Sequence, residues 1–289
     1  MKRTKLDDRV LPVYTKGEEI FNMVTHIVGG AMGIAALVLC IIFCHDGYGL
    51  FSGIVYGISM ILLYTMSAIY HGLSPKLKAK KVFQIMDHCS IFVLIAGTYT
   101  PVLLCSIREV DVKWAWILFA VIWIMTVIGI TLNAIDIKKY QTFSMICYLV
   151  MGWCIIFKIN LLPQAIGMNG IWLLVSGGLA YTIGVIFYVL QNKIKYMHSI
   201  WHLWILVGSI LHFLCICIIA NQKKKIYFYA LLAHTFFRII LLKIIQSPIH
   251  SITNNIDFIV LLRFYKIKKS NVYINKGLCK KYIYDFYKF

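Results

Sequence analysis

Charge is what this sequence has least of. Only 14% of its 289 residues are Asp, Glu, Lys or Arg, whereas 61% are hydrophobic and the mean hydropathy is +0.80. A soluble fold cannot bury so large an apolar share, which excludes a water-soluble domain. Paired cysteines are missing too. Nine cysteines are present, but no CxxC occurs, and Cys215 and Cys217 have the wrong spacing for one. Eight of the nine lie in or beside apolar runs, where cysteine acts as a small hydrophobe, and this argues against a disulfide framework. Acidic residues are scarce, 11 against 29 basic, giving a net charge of +18. That excess is local, because residues 1–222 carry a net +7 and residues 223–289 a net +11. Basic flanks orient membrane spans, so no nucleic-acid partner is expected.

What the sequence does have is a succession of apolar runs. Seven, at about 24–44, 51–71, 82–105, 114–134, 142–162, 171–191 and 200–220, are each long enough to cross hydrocarbon about 30 Å thick. The first starts near Val24 and many follow, so no cleaved leader is expected. The expected fold class is an all-α integral membrane protein, a seven-transmembrane helix bundle with an N-terminal interfacial helix. Residues 1–23 form a polar cytoplasmic N-terminus and amphipathic helix, 24–220 the membrane domain, and 221–289 a basic extension. Within that extension, 226–245 reads as an interfacial or eighth helix and the remainder as poorly ordered.

Basic residues set the orientation. Lys2, Arg3, Lys5, Arg9 and Lys16 precede the first run, and Lys76, Lys78, Lys80, Lys81, Lys138, Lys139, Lys193 and Lys195 fill the even loops. Loops one and five have none, so the N-terminus and even loops face the cytoplasm. The plasma membrane is the expected location.

Polar residues inside the runs are few and placed with a period. Glu18, Asn22 and His26 recur every four residues, a face that either looks into the bundle or lies at the interface. His198 and His202, also four apart, share one helix face, as two metal-binding imidazoles do. In the expected topology Ser67 and His71 end the second run, Asp87 starts the third, and the histidine pair starts the seventh. All then reach one depth near the cytoplasmic surface. Three neutral imidazoles and a water make a tetrahedral zinc site, with His71, His198 and His202 as ligands. Asp87 is bonded to that water or takes the fourth place, and Ser67, one turn from His71, orients water or substrate. Blander readings stay open: Ser67 back-bonds to its own helix, and Asp87 neutralises the loop lysines or a helix N-terminus. His212 lies too far along its helix to share the ion and is expected to bond across the bundle.

Taken in order, Glu18-Glu-Ile-Phe-Asn22-Met-Val-Thr25-His26, Ser67-Ala-Ile-Tyr-His71, Asp87-His88, Ala96-Gly-Thr-Tyr-Thr-Pro101, Gly178-Leu-Ala-Tyr181-Thr-Ile-Gly184 and His198-Ser-Ile-Trp-His202 with His212-Phe213 resemble the haemolysin III family, the microbial branch of the progestin and adiponectin receptor superfamily. The resemblance covers about residues 14–220. It implies seven helices around a cytoplasmic-side zinc ion held by His71, His198 and His202, with Asp87 on a zinc-bound water and Ser67 beside it. For function it implies cytolysis by pores, from the naming of microbial members, or lipid amide hydrolysis of ceramidase type, from the receptor relatives.

Site chemistry favours a zinc-dependent hydrolase that takes a membrane lipid amide or ester as substrate. The alternatives are a cytolytic pore in which zinc only clips helices together, and a membrane receptor or sensor. Little polar lining exists away from the histidine level, which speaks against a monomeric channel. The substrate and oligomeric state are not encoded in any motif.

Overall fold

The computed structural model describes residues 3–44 and 46–221. The expected helix at 226–245 and the rest of the basic extension lie outside the described residues, as does His45.

Among the described residues, six helical stretches are long and apolar enough to cross a membrane: α1 (Lys16–Phe43), α2 (Gly47–Gly72), α3 (Lys78–Val110), α4 (Val112–Ile135), α5 (Ile137–Leu190) and α6 (Met197–Asn221). The seven-helix expectation is thereby corrected to six, because the runs at 142–162 and 171–191 belong to one stretch, α5. The residues between them, 163–170, carry no charge. Cys154–Leu161 tightens into 3-10 turns, and a proline in the opening turn of Leu162–Leu190 sits where its missing N–H is harmless. The axis still turns, at Lys158 (φ −133°, ψ 35°) and at Gly167, whose φ of 67° suits glycine. Gln141 Nε2 donates to the Tyr188 hydroxyl at 2.9 Å and Trp153 Nε1 to Thr182 Oγ1 at 3.0 Å. The two limbs of α5 therefore lie side by side, and both its ends reach the same end of the bundle.

The expected N-terminal interfacial helix is corrected as well: residues 3–15 contain no helix, and α1 begins directly at Lys16. Thr15 and Glu18 close a capping box there, with the Thr15 N–H donating to Glu18 Oε2 at 2.8 Å and the Glu18 N–H to Thr15 Oγ1 at 3.3 Å. Because α1 is continuous, its Glu18, Asn22 and His26 face is buried in the bundle. Asp46, Asp111 and Asp136 cap the next helices by accepting the N–H of Gly49, Trp114 and Lys139.

With lipid outside, helices gain by close approach rather than by hydrophobic burial, so small residues mark the crossings. A Cβ on Gly57 would lie 2.5 Å from Leu37 Cβ, and one on Gly33 would lie 2.9 Å from the Ile61 nitrogen, so α1 and α2 touch backbone to backbone. The most enclosed helix is α3, whose Phe92, Ala96, Val102 and Leu103 meet Leu118 and Ile122 of α4 and Cys215 of α6. Pro101 interrupts it and is followed by a π turn over Leu103–Ile107, with Thr100 Oγ1 donating back to Ala96 O at 2.8 Å. Aliphatic side chains such as Ile27, Val38, Val127 and Ile186 point outward, as lipid contact requires.

Candidate metal centre

The last turn of α2 and the first two turns of α6 meet at one end of the bundle. His71 comes from α2, and His198 and His202 from α6; all three are buried. Ring centroids are 5.3 Å apart for His71–His198, 4.9 Å for His71–His202 and 4.6 Å for His198–His202. One nitrogen from each lies within 4.8 Å of the other two.

The chemistry of this donor set fits a zinc-type ion. His71 Nδ1 bonds to Glu19 Oε2 at 2.6 Å, and His198 Nδ1 to Gln191 Oε1 at 2.6 Å. A carboxylate or amide oxygen there fixes the proton on Nδ1 and leaves the Nε2 lone pair free, which is how metal-binding imidazoles are held. His71 Nε2 has no hydrogen-bond partner among the described residues. His198 Nε2 and His202 Nε2 stand 3.0 Å apart, two nitrogens converging on one point.

Several residues that support the imidazoles escaped sequence reasoning. Glu19 lies about 100° around α1 from Glu18, off the periodic Glu18–Asn22–His26 series, and showed no pattern. Its other oxygen takes Lys80 Nζ at 2.8 Å, and that ammonium, almost fully buried, also donates to the Tyr70 and Leu73 carbonyls at 2.9 Å each. Lys80 thus ends α2 and neutralises Glu19 at once. In sequence it counted only toward orientation. Glu18 accepts the Tyr196 N–H at 2.6 Å, tying the start of α1 to the residue before α6, whose φ is 64°. Tyr14 stacks on His198 with centroids 4.8 Å apart and donates its hydroxyl to Gln191 Oε1 at 3.2 Å.

Asp87 and Ser67 are buried close by, with the Asp87 carboxyl in electrostatic reach of His88, His71 and Ser67. The Ser67 hydroxyl faces the Asp87 carboxyl. His88 turns aside and bonds through Nδ1 to Gln84 O at 2.9 Å. His26 stacks on His202 at 3.8 Å, and neither His26 nitrogen has a hydrogen-bond partner among the described residues. His212 bonds through Nε2 to Leu174 O at 3.0 Å, across the bundle and outside the histidine cluster. A cavity of about 290 Å³ runs between α3, α5 and α6, walled mainly by apolar side chains such as Ile91, Leu149 and Val185. Asp87 and His26 border it, and Tyr181 and His212 line it further along.

A family described as haemolysin-III related matches residues 14–213. Hemolysin-3 of Bacillus cereus is 39% identical over 203 residues, covering 69% of this chain and 90% of that protein. A hemolysin-3 homolog of Bacillus subtilis (strain 168) is 37% identical over 207 residues, covering 71% and 95%. The human monocyte to macrophage differentiation factor is 26% identical over 171 residues, covering 56% and 67%.

Proposed function

We propose, for a chain that belongs to the haemolysin III family, that its histidine centre holds zinc and hydrolyses an amide or ester bond of a membrane lipid. The observation that carries this reading is the cavity, apolar along its walls and bordered by a buried carboxylate, Asp87, beside three imidazoles. A structural clip needs no such space next to it. An acyl chain fits an apolar cavity between membrane helices, and its polar group then lies at the Asp87 end.

Zinc held by His71, His198 and His202 would supply Lewis acidity toward a water and a substrate carbonyl. Asp87 accepts the proton that the water loses as its oxygen bonds to the carbonyl carbon, and passes it to the departing nitrogen or oxygen as that bond breaks. Ser67, beside Asp87 and one turn from His71, orients the water or the carbonyl. Glu19 and Gln191 keep the His71 and His198 rings in the required tautomer.

We place the centre on the cytoplasmic side of the plasma membrane. Lys78, Lys138, Lys139, Lys193 and Lys195 flank the starts of α3, α5 and α6, the same end as the histidines, and that is the end the positive-inside bias directs inward.

Metal analysis of the purified protein, with His71→Ala and His202→Ala beside it, tests the ion, and a lipid amide and ester screen tests the chemistry. About one zinc per chain, lost in both variants, is expected, with turnover that Asp87→Asn lowers by about 10²–10⁴-fold at retained metal. A metal-loaded protein that hydrolyses no lipid, or that conducts ions in planar bilayers instead, would overturn the hydrolase reading.

A further inference from the structure

Residues 3–14 cross the histidine end of the bundle as a strap. The Thr4 N–H donates to Ile135 O at 3.1 Å, and its hydroxyl bonds to Asp136. Arg9 Nη2 donates to the Ala134 and Ile135 carbonyls at 2.9 and 3.0 Å, holding the last turn of α4. Asp7 pairs with Lys78 at 2.9 Å, and Lys81 donates to the Asp7 carbonyl at 2.9 Å, fixing the strap to the start of α3. At its end, Tyr14 lies over the centre: its ring is 4.8 Å from that of His198 and 5.7 Å from that of His71.

Tyr14 does two things there. Its half-buried ring covers the aqueous side of two of the three imidazoles. Its hydroxyl shares Gln191 Oε1 with His198 Nδ1, so the amide is held on both sides and His198 cannot rotate without breaking that bond. From the membrane side, Asp87 and His26 stand between the cavity and the ligands. The strap therefore covers the short route between the centre and water.

We infer that Tyr14 is the latch of the metal centre, a positioning residue that holds Gln191 against His198 and admits or releases the ion only when the strap lifts. This rests on the centre holding a metal. It adds a control on exchange that neither the three ligands nor Asp87 provides, and it makes ion loss slow without any added ligand.

The test uses the full chain in detergent, loaded with zinc, and follows zinc transfer to the chromophoric chelator 4-(2-pyridylazo)resorcinol. Tyr14→Ala is expected to speed release by about 10–100-fold, the range typical of lost outer-shell support. Tyr14→Phe keeps the ring and loses the hydroxyl bond, so its rate falls between wild type and Tyr14→Ala. Arg9→Ala loosens the strap away from the centre and is expected to speed release several-fold at unchanged stoichiometry. A Tyr14→Ala rate within about twofold of wild type, or a Tyr14→Phe rate equal to that of Tyr14→Ala, overturns the latch. Should Tyr14→Ala not fold, Tyr14→Phe and Arg9→Ala both releasing at the wild-type rate overturn it equally. A wild-type chain that retains no zinc refutes the metal reading itself, an outcome distinct from all of these.

Discussion

Removing the Glu19 carboxylate separates what stabilises the fold from what holds the ion. In Glu19→Ala, Lys80 keeps the Tyr70 and Leu73 carbonyls but loses the carboxylate it pairs with, at a site with 1% exposure. Breaking one partner out of a buried pair costs about 3–5 kcal/mol; the two remaining carbonyls put this case at about 3 kcal/mol. For a domain of this size that corresponds to a fall in melting temperature of about 6–12 °C. His71 also loses the acceptor on Nδ1, which lowers metal affinity by about 10–100-fold. A second variant, Glu19→Gln with Lys80→Met, removes both charges together. No stranded ammonium remains, so thermal stability returns toward wild type, while affinity stays low because an amide accepts less strongly than a carboxylate. The assay is paired: thermal unfolding of the metal-free protein, and zinc competition against a chelator of known affinity. Glu19→Ala binding zinc within about twofold of wild type would refute the outer-shell role. Equal melting losses in the single and double variants would refute the buried-pair account of stability.

Gly57→Ala puts a methyl 2.5 Å from Leu37 Cβ and 2.6 Å from Leu37 Cα, so a loss of about 1–3 kcal/mol is expected in thermal unfolding. Gly47→Ala, with nothing within 4 Å of the new Cβ, serves as the neutral comparison. Val185→Phe fills part of the cavity wall and is expected to cut lipid turnover at least about tenfold while zinc stays bound; unchanged turnover would remove the cavity as the substrate's route. Hydrogen bonds from Thr4 and from the Lys139 N–H hold the Asp136 carboxyl below its ordinary range, with Arg9 adding attraction. Its contribution is therefore complete above about pH 4 and is lost as pH falls through the lowered folded value. Amide-exchange protection at Thr4 should hold from pH 7 to 5 and drop under stronger acid.

Much of this was legible from spacing alone. The apolar runs announced the helices, and the four-residue step from His198 to His202 marked a face with two stacked imidazoles before any partner was known. His71 could be matched to that face because basic loops set the direction of each run. What spacing could not show was continuity. Residues 163–170, with Pro163, Gly167 and Gly170, read as a loop, yet they carry no charge to draw them into water, and the chain stays helical there after the 3-10 turns. Nor could periodicity separate a lying helix from a buried one at Glu18, Asn22 and His26. That was decided by the capping box at Thr15, which starts α1 early and carries the polar face inward. Glu19, Lys80, Gln191 and Tyr14 were invisible for a simpler reason. Each acts through a tertiary contact from a different segment, and a single side chain has no period.

The ligands belong to α2 and α6, and α6 is the last described helix to be made. Of the three clustered imidazoles, a growing chain therefore offers only one until α6 has left the ribosome and packed beside α2. On the proposed reading, zinc capture waits for α6. An ion that stays put would then certify that α2 and α6 have found each other, and a quality-control protease that attacks metal-free copies would be sorting joined bundles from unjoined ones.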